Sequence, residues 1–200
     1  YGYEPSPLDH EPERSCDTWG NNALFVSDHR RRIRARTATY HGARLLAREW
    51  AGKPSGTHLV YRARVDVAPA GGRAGASEAL PLSAYAMLRP DGRWAVLLVN
   101  KDEQREWKLT FRFAGGAPVA PASLHGRADV YQFSAAQYAW RANGEHGRPQ
   151  RSRSPRHLVL TEQMPVQVPP WSLTVVRSAG PIAAVNGSTV WPRQPEGVER

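Results

Sequence analysis

The tripeptide Pro90-Asp91-Gly92, set between two apolar β-forming runs, constrains this chain more than any other stretch. Proline pre-sets φ, aspartate tolerates the bend and glycine supplies positive φ, so Leu82 to Asn100 reads as a β-hairpin. Its second arm, Trp94 to Val99, is apolar at nearly every position rather than at every other one. An alternating strand covers one core, whereas a continuous apolar run has to be covered on both faces. One face can take a second sheet; the other needs a helix, a loop or another domain. The hairpin is therefore expected at the centre of a sheet docked against something larger.

The rest of the chain supports a mainly β architecture. Thr37 to Trp50 is the one convincing helix, with Thr37 as N-cap and Tyr40, Ala43, Leu46, Ala47 and Trp50 on one face, widened by Leu45. Gly52, Pro54 and Gly56 stop it. Before it, residues 1–36 read as loop: Pro5, Pro7 and Pro12 forbid a helix, and Asp9, His10, Glu11 and Glu13 form an acidic, solvated run. After it come strand patterns at His58–Val67, at the two hairpin arms, and at Trp107–Phe113, Leu124–Phe133, Tyr138–Ala142, His157–Thr161, Val166–Val168 and Ser172–Arg177. Residues 143–156 are low in complexity and are expected to be mobile. About eight short strands, with one helix before them and none between, predict an antiparallel β-sandwich preceded by an irregular region. Three segments follow: 1–52, a sandwich over 57–177, and a tail over 178–200.

The formal charge of +9 invites a nucleic-acid reading. Yet the chain has 24 arginines and only three lysines, Lys53, Lys101 and Lys108. So lopsided a ratio is the mark of a compositional bias toward Arg, Ala, Gly and Pro rather than of a selected phosphate-binding surface. Five arginines between Asp28 and Arg36 read as a solvated face, and no nucleic-acid partner is expected. Cys16 is the sole cysteine, which excludes an internal disulfide framework. No run approaches the ~18 apolar residues of a membrane span, and no membrane partner is expected. The chain opens on Tyr1-Gly2-Tyr3 without methionine, as a segment of something longer would.

Candidate chemistry is sparse. The seven histidines are scattered, with no His-x-x-x-His pair, so no metal site is expected. Neither a Gly-x-Ser-x-Gly elbow nor a phosphate loop is present, and no cofactor motif appears. Paired carboxylates, the requirement for cleaving a glycosidic bond, have candidates in Glu4, Asp9, Glu11, Glu13, Asp17 and Asp28, all in the irregular first 36 residues. A solvated acid is the commoner explanation of each. Tyr1, Tyr3 and Trp19 are placed to stack on a sugar or a base, or to pack as loop anchors.

The order of these pieces resembles a known family. W-G-N-N-A-L-F-V-S-D leads into the helix T-A-T-Y-H-G-A-R-L-L-A-R-E-W and then into strands containing S-A-Y-A-M-L-R-P-D-G-R-W-A-V-L-L-V-N-K-D. This is similar to the C-terminal part of bacterial glycoside hydrolases that join a (β/α)₈ barrel to a β-sandwich, in the arabinofuranosidase, xylosidase and glucuronidase-like branches. Thr37, Tyr40, Leu45 and Leu46 echo the T-x-x-Y-x-x-x-x-L-L pattern of the last barrel helix, and Val99-Asn100-Lys101-Asp102 the V-N-K-D turn of the sandwich. The resemblance spans about residues 1–177 and its motifs are packing and turn residues.

It implies a fragment of an O-glycosidase whose catalytic glutamates lie on strands upstream of Tyr1, so that no catalytic residue is expected here and the chain alone is expected to be inactive. Residues 1–52 would then be the barrel's end, rim loop and last helix, and the sandwich would pack on the barrel. Tyr1, Tyr3, Trp19 and Asn21 would contact the carbohydrate substrate. A secreted or periplasmic location goes with the family. A second reading, from a different class, is a non-enzymatic β-sandwich that binds carbohydrate or protein; aromatics aligned on the surface would mark it, whereas most aromatics here fall on inward-facing alternations.

Overall fold

The computed structural model describes residues 6–7, 24–27, 30, 32–52, 55–66, 81–111, 127–143, 147–161 and 165–179. The chain is mainly β. Its centre is a six-stranded antiparallel sheet of β4 (Leu59–Tyr61), β5 (Leu82–Leu88), β6 (Trp94–Asn100), β8 (Ala128–Phe133), β11 (Arg156–Leu160) and β13 (Ser172–Ser178), in the order β11-β8-β13-β6-β5-β4. The central hairpin forms as its sequence dictates. Leu88 pairs with Trp94, Gly92 N–H bonds back to the Arg89 carbonyl at 2.9 Å, and Gly92 holds φ at 74°.

The continuous apolar arm is covered on both faces. Five of the seven β6 residues from Trp94 are buried before the first half-buried one. Val96 and Leu98 face a pair of strands, β7 (Trp107–Leu109) and β12 (Val166–Val168). Together with Leu82, Val130, Val176, Trp107, Val166 and Val168 they make the core between the two layers of the sandwich. Leu97 points the other way, into a second core with Phe133, Val175 and the helix residue Leu45. Each of these side chains contributes about 1.5–3 kcal/mol by leaving water.

Several expectations are corrected. Residues 1–36 are not all loop: β1 (Ser6–Pro7), β2 (Phe25–Ser27) and β3 (Ile33–Arg36) form a small sheet, so the arginine run ends in a strand. Residues 143–156 are not simply a mobile loop either, since β10 (Arg148–Ser152) pairs with β9 (Tyr138–Arg141). Backbone pairing is blind to side-chain complexity, and the register shift between Pro149 and Arg151 accommodates a proline that cannot donate to the ladder.

The helical stripe is also out of phase. The helix α1 (Ala38–Leu45) begins under the Thr37 cap and continues as a π-helix over Leu46–Ala51. The residues turned inward are His41, Gly42 and Leu45, while Ala43 and Ala47 are exposed. Gly52 N–H bonds to the Ala47 carbonyl five residues back, the π pattern. That wider turn brings Trp50, five residues after Leu45, onto the same core. Among the described residues, the expected strands at His58–Val67 and Trp107–Phe113 pair over Leu59–Tyr61 and Trp107–Leu109.

Candidate functional site

The residues expected to touch a sugar, Tyr1, Tyr3, Trp19 and Asn21, lie outside the described residues, as do the carboxylates Glu4, Asp9, Glu11, Glu13, Asp17 and Asp28. Two other constellations are built by the described residues.

The first is charged and sits on the helix side of the sheet. Alternation along β8 sends Asp129, Tyr131 and Phe133 to one face, and register places Arg177 of β13 beside Asp129 and His157 of β11 beside Tyr131. Arg177 donates from Nη1 to Glu49 Oε2 at 3.0 Å, and from Nη2 to the Tyr131 hydroxyl at 2.7 Å and to Asp129 Oδ2 at 3.4 Å. His157 Nε2 lies 2.9 Å from Asp129 Oδ1, and its ring stacks on Tyr131 at 4.5 Å.

Two carboxylates around one point suggest acid–base work, but the electrostatics oppose it. Burial pushes the Asp129 carboxyl up, and the hydrogen bonds from His157 and Arg177 outweigh it, holding the carboxyl below its ordinary range. A general acid for glycoside cleavage needs the opposite shift. Arg177 therefore makes a brace that ties Glu49 of the π-helix to β8 and β13. Arg89 adds a second tie, donating from Nη1 to the Glu49 carbonyl at 3.0 Å near the helix's C-terminal end.

His41 and Ser152 make a further pair that resembles a base and its nucleophile. Their Nε2 and Oγ are 3.0 Å apart, and Ser152 Oγ donates to the Arg36 carbonyl at 2.8 Å. With that proton committed, the hydroxyl accepts from Nε2–H, so the imidazole is a donor and not a base. Burial, then Arg36 and Arg44, push the His41 pKa down, which keeps the ring neutral. The pair links α1 and β3 to β10.

The second constellation is a cleft of about 550 Å3 lined by Phe133, Ser134, Ala135, Tyr138, Trp140 and Trp171, with Ala38 and Ala139 completing it. Its walls come from the β8–β9 turn and from the residue before β13. The turn is held by Ser134, whose N–H and Oγ both meet Gln137 Oε1 at 3.0 and 3.1 Å. Burial pushes the Tyr138 hydroxyl pKa up. Trp171 is 55% exposed and sits at φ 44°, in left-handed backbone that a tryptophan rarely adopts.

The V-N-K-D turn holds it there. Asn100 Nδ2 donates to the Pro169 carbonyl at 2.7 Å and to the Arg105 carbonyl at 2.9 Å, Ser172 Oγ donates to the Pro169 carbonyl, and Trp171 N–H donates to the Asp102 carbonyl at 2.9 Å. Reading the sequence by alternation missed this cleft, because Pro169-Pro170 registers there only as a strand break. An aromatic directly after such a break has left the alternation and need not point inward. Among the described residues, no three His, Cys, Asp or Glu side chains gather as a metal ion requires.

No protein-family model matches the sequence, and no curated protein sequence matches it. Solved structures do. A GH51 α-L-arabinofuranosidase from Thermotoga petrophila RKU-1 aligns with 48% of the chain at 16% identity and a TM-score of 0.31. A family 44 xyloglucanase from Paenibacillus polymyxa aligns with 51% at 15% identity and 0.29, and a further arabinofuranosidase with 49% at 16% and 0.30. The aligned part covers 19%, 17% and 19% of those chains respectively.

Proposed function

We propose that this chain is the C-terminal part of a glycoside hydrolase, in which residues 57–177 are a β-sandwich that braces a catalytic barrel and residues 1–52 are the barrel's rim loop and last helix, with 178–200 a tail. The supporting observation is that the helix-side face of the sheet is larger than the helix that covers it. Leu97 and Val175 at its centre lie under Leu45. Register puts Tyr85 beside Leu97, Val60 beside Met87 and Val159 beside Asp129, on the same side of the sheet. All three of these flanking side chains are exposed. Exposed apolar side chains on both flanks of the helix, Tyr85 and Val60 on one and Val159 beside the charged Asp129 on the other, suit a neighbouring domain. The Arg177 brace fits the same role, since it fixes the helix angle that such a neighbour would meet. In this reading the reacting acids belong to the barrel, and Tyr1, Tyr3, Trp19 and Asn21 contact the sugar from the rim.

The test is the coding DNA upstream of Tyr1, read together with an assay of the chain on aryl glycosides. The expected outcome is an open frame that continues into strand–helix repeats with glutamates at strand ends, and no turnover by the isolated chain. A stop codon shortly upstream, or turnover by the isolated chain, overturns the proposal.

A further inference from the structure

The aromatic cleft is not used by the bracing role, and it carries an inference of its own. Trp171 stands in a backbone conformation that is strained for a residue other than glycine. Burial does not offset that strain, since the side chain is more than half exposed. Asn100, Asp102 and Ser172 nevertheless fix the backbone on either side of it. A rigidly held, exposed indole beside Trp140, Tyr138 and Phe133 is a stacking platform, and the cleft's volume lies within the usual range for small-molecule sites.

One cation, Arg151, stands beside the cleft. Arg151 pairs across the β9–β10 ribbon with Ala139, and its Nη1 donates to the Ala135 carbonyl at 2.8 Å; both alanines line the cleft. Arg141, Arg148, Arg153 and Arg156 are exposed on the same ribbon and its continuation, and no acidic residue lies among the described residues of 138–161. One guanidinium nitrogen is engaged by the carbonyl, which leaves the rest of a planar donor fork to meet a carboxylate.

We propose that this cleft binds a uronate unit of an acidic polysaccharide, with the C–H face of the sugar ring on Trp171 and the sugar carboxylate on Arg151. A single exposed ring face suits one pyranose better than a nucleic-acid strand, which stacks successive bases on successive aromatic platforms.

Calorimetric titration of the full chain with a trigalacturonate, and with its carboxyl-reduced neutral analogue, tests the assignment. Saturable binding of the uronate is expected, with the neutral analogue about tenfold weaker or more. Trp171→Gly relieves the left-handed strain, so it is expected to melt no lower than the parent while binding about tenfold more weakly. Arg151→Gln is expected to bind both sugars alike. No saturable binding, equal affinity of the parent for the two sugars, or uronate binding that Trp171→Gly leaves intact each overturns the site; the last would mark attraction by net charge alone. Tighter binding of an oligothymidylate than of the uronate at equal ionic strength overturns it in favour of nucleic acid.

Discussion

The two faces of the six-stranded sheet are closed by different physics. On one, Val96, Leu98, Val130 and Val176 meet Trp107, Val166 and Val168 of the second layer, and the contact is mostly apolar, with Thr174 buried in it and Gln132 Nε2 donating across it to the Gln167 carbonyl. On the other, a small apolar patch of Leu45, Leu97, Phe133 and Val175 is bordered by directional ties: Arg177 to Glu49, Arg89 to the Glu49 carbonyl, and His41 to Ser152. Strands facing strands can rely on area alone, because the sheets' own geometry limits how they pack. A helix resting on a sheet can roll or slide, and here it is held by hydrogen bonds in its first turn and near its end. The strand-side face therefore stores stability, whereas the helix-side face stores orientation.

Neighbouring leucines in β6 test this most severely. Leu98 faces the second layer and Leu97 faces the helix, and both are buried. Leu98→Ala is expected to cost about 3–4 kcal/mol and Leu97→Ala about 2 kcal/mol in denaturant unfolding, because a helix can settle into a cavity that a strand pair cannot collapse. The reverse order would break the comparison.

The next effect sharpens it from the helix side. Arg177→Met leaves Glu49 and Asp129 without their shared partner, at sites where their side chains keep 24% and 17% of their exposure. A fully buried orphaned charge costs about 3–5 kcal/mol. Residual solvent reduces that here to about 1–2 kcal/mol near neutral pH. Asp129 sets the pH dependence. Its folded pKa lies below the unfolded value, so its contribution is complete above about pH 4 and is lost as pH falls through the lowered folded value. Parent and variant stabilities are expected to converge in acid; a gap that stays constant down to pH 2 contradicts the brace.

The same division explains what could be read from the chain. Hairpin, N-cap and two-sided burial were legible because they depend on local patterns: Pro90-Asp91-Gly92 for the turn, Thr37 for the cap, and the run Trp94–Val99 for the cover. The helix's inward face was not, because apolarity marked Ala43 and Ala47 whereas the inward row of α1 runs through His41, Gly42 and Leu45, and the π-turn that follows then shifts the period that brings Trp50 onto the same core. The short sheet formed by β1, β2 and β3 was also missed, as was β10, the partner of the expected strand β9, since their arginines and prolines mask strands held by backbone bonds. The cleft was illegible for a further reason. Trp171 is far in sequence from Trp140 and Phe133 and meets them only once β8, β9 and β13 are placed.

The smallest expected effect belongs to His41, and it separates a tie from a mere filler. The ring is buried against Phe133 at 5.2 Å between centroids and bonded to Ser152, and burial together with Arg36 and Arg44 lowers its pKa. The unfolded chain takes a proton on this residue near pH 6.5, whereas the folded chain resists it. The unfolded state therefore binds more protons in that window, and stability rises with pH across it. The contribution is complete above about pH 6.5 and is lost as pH falls through the lowered folded value. His41→Gln keeps a donor for the Ser152 hydroxyl but cannot titrate. Denaturant midpoints measured from pH 7.5 to 5 are expected to fall more steeply for the parent than for His41→Gln, while the two run parallel above pH 7. Parallel curves over the whole range would mean that the imidazole is not held neutral by its surroundings. The helix-side face would then lose one of the directional ties that distinguish it from the strand-side face.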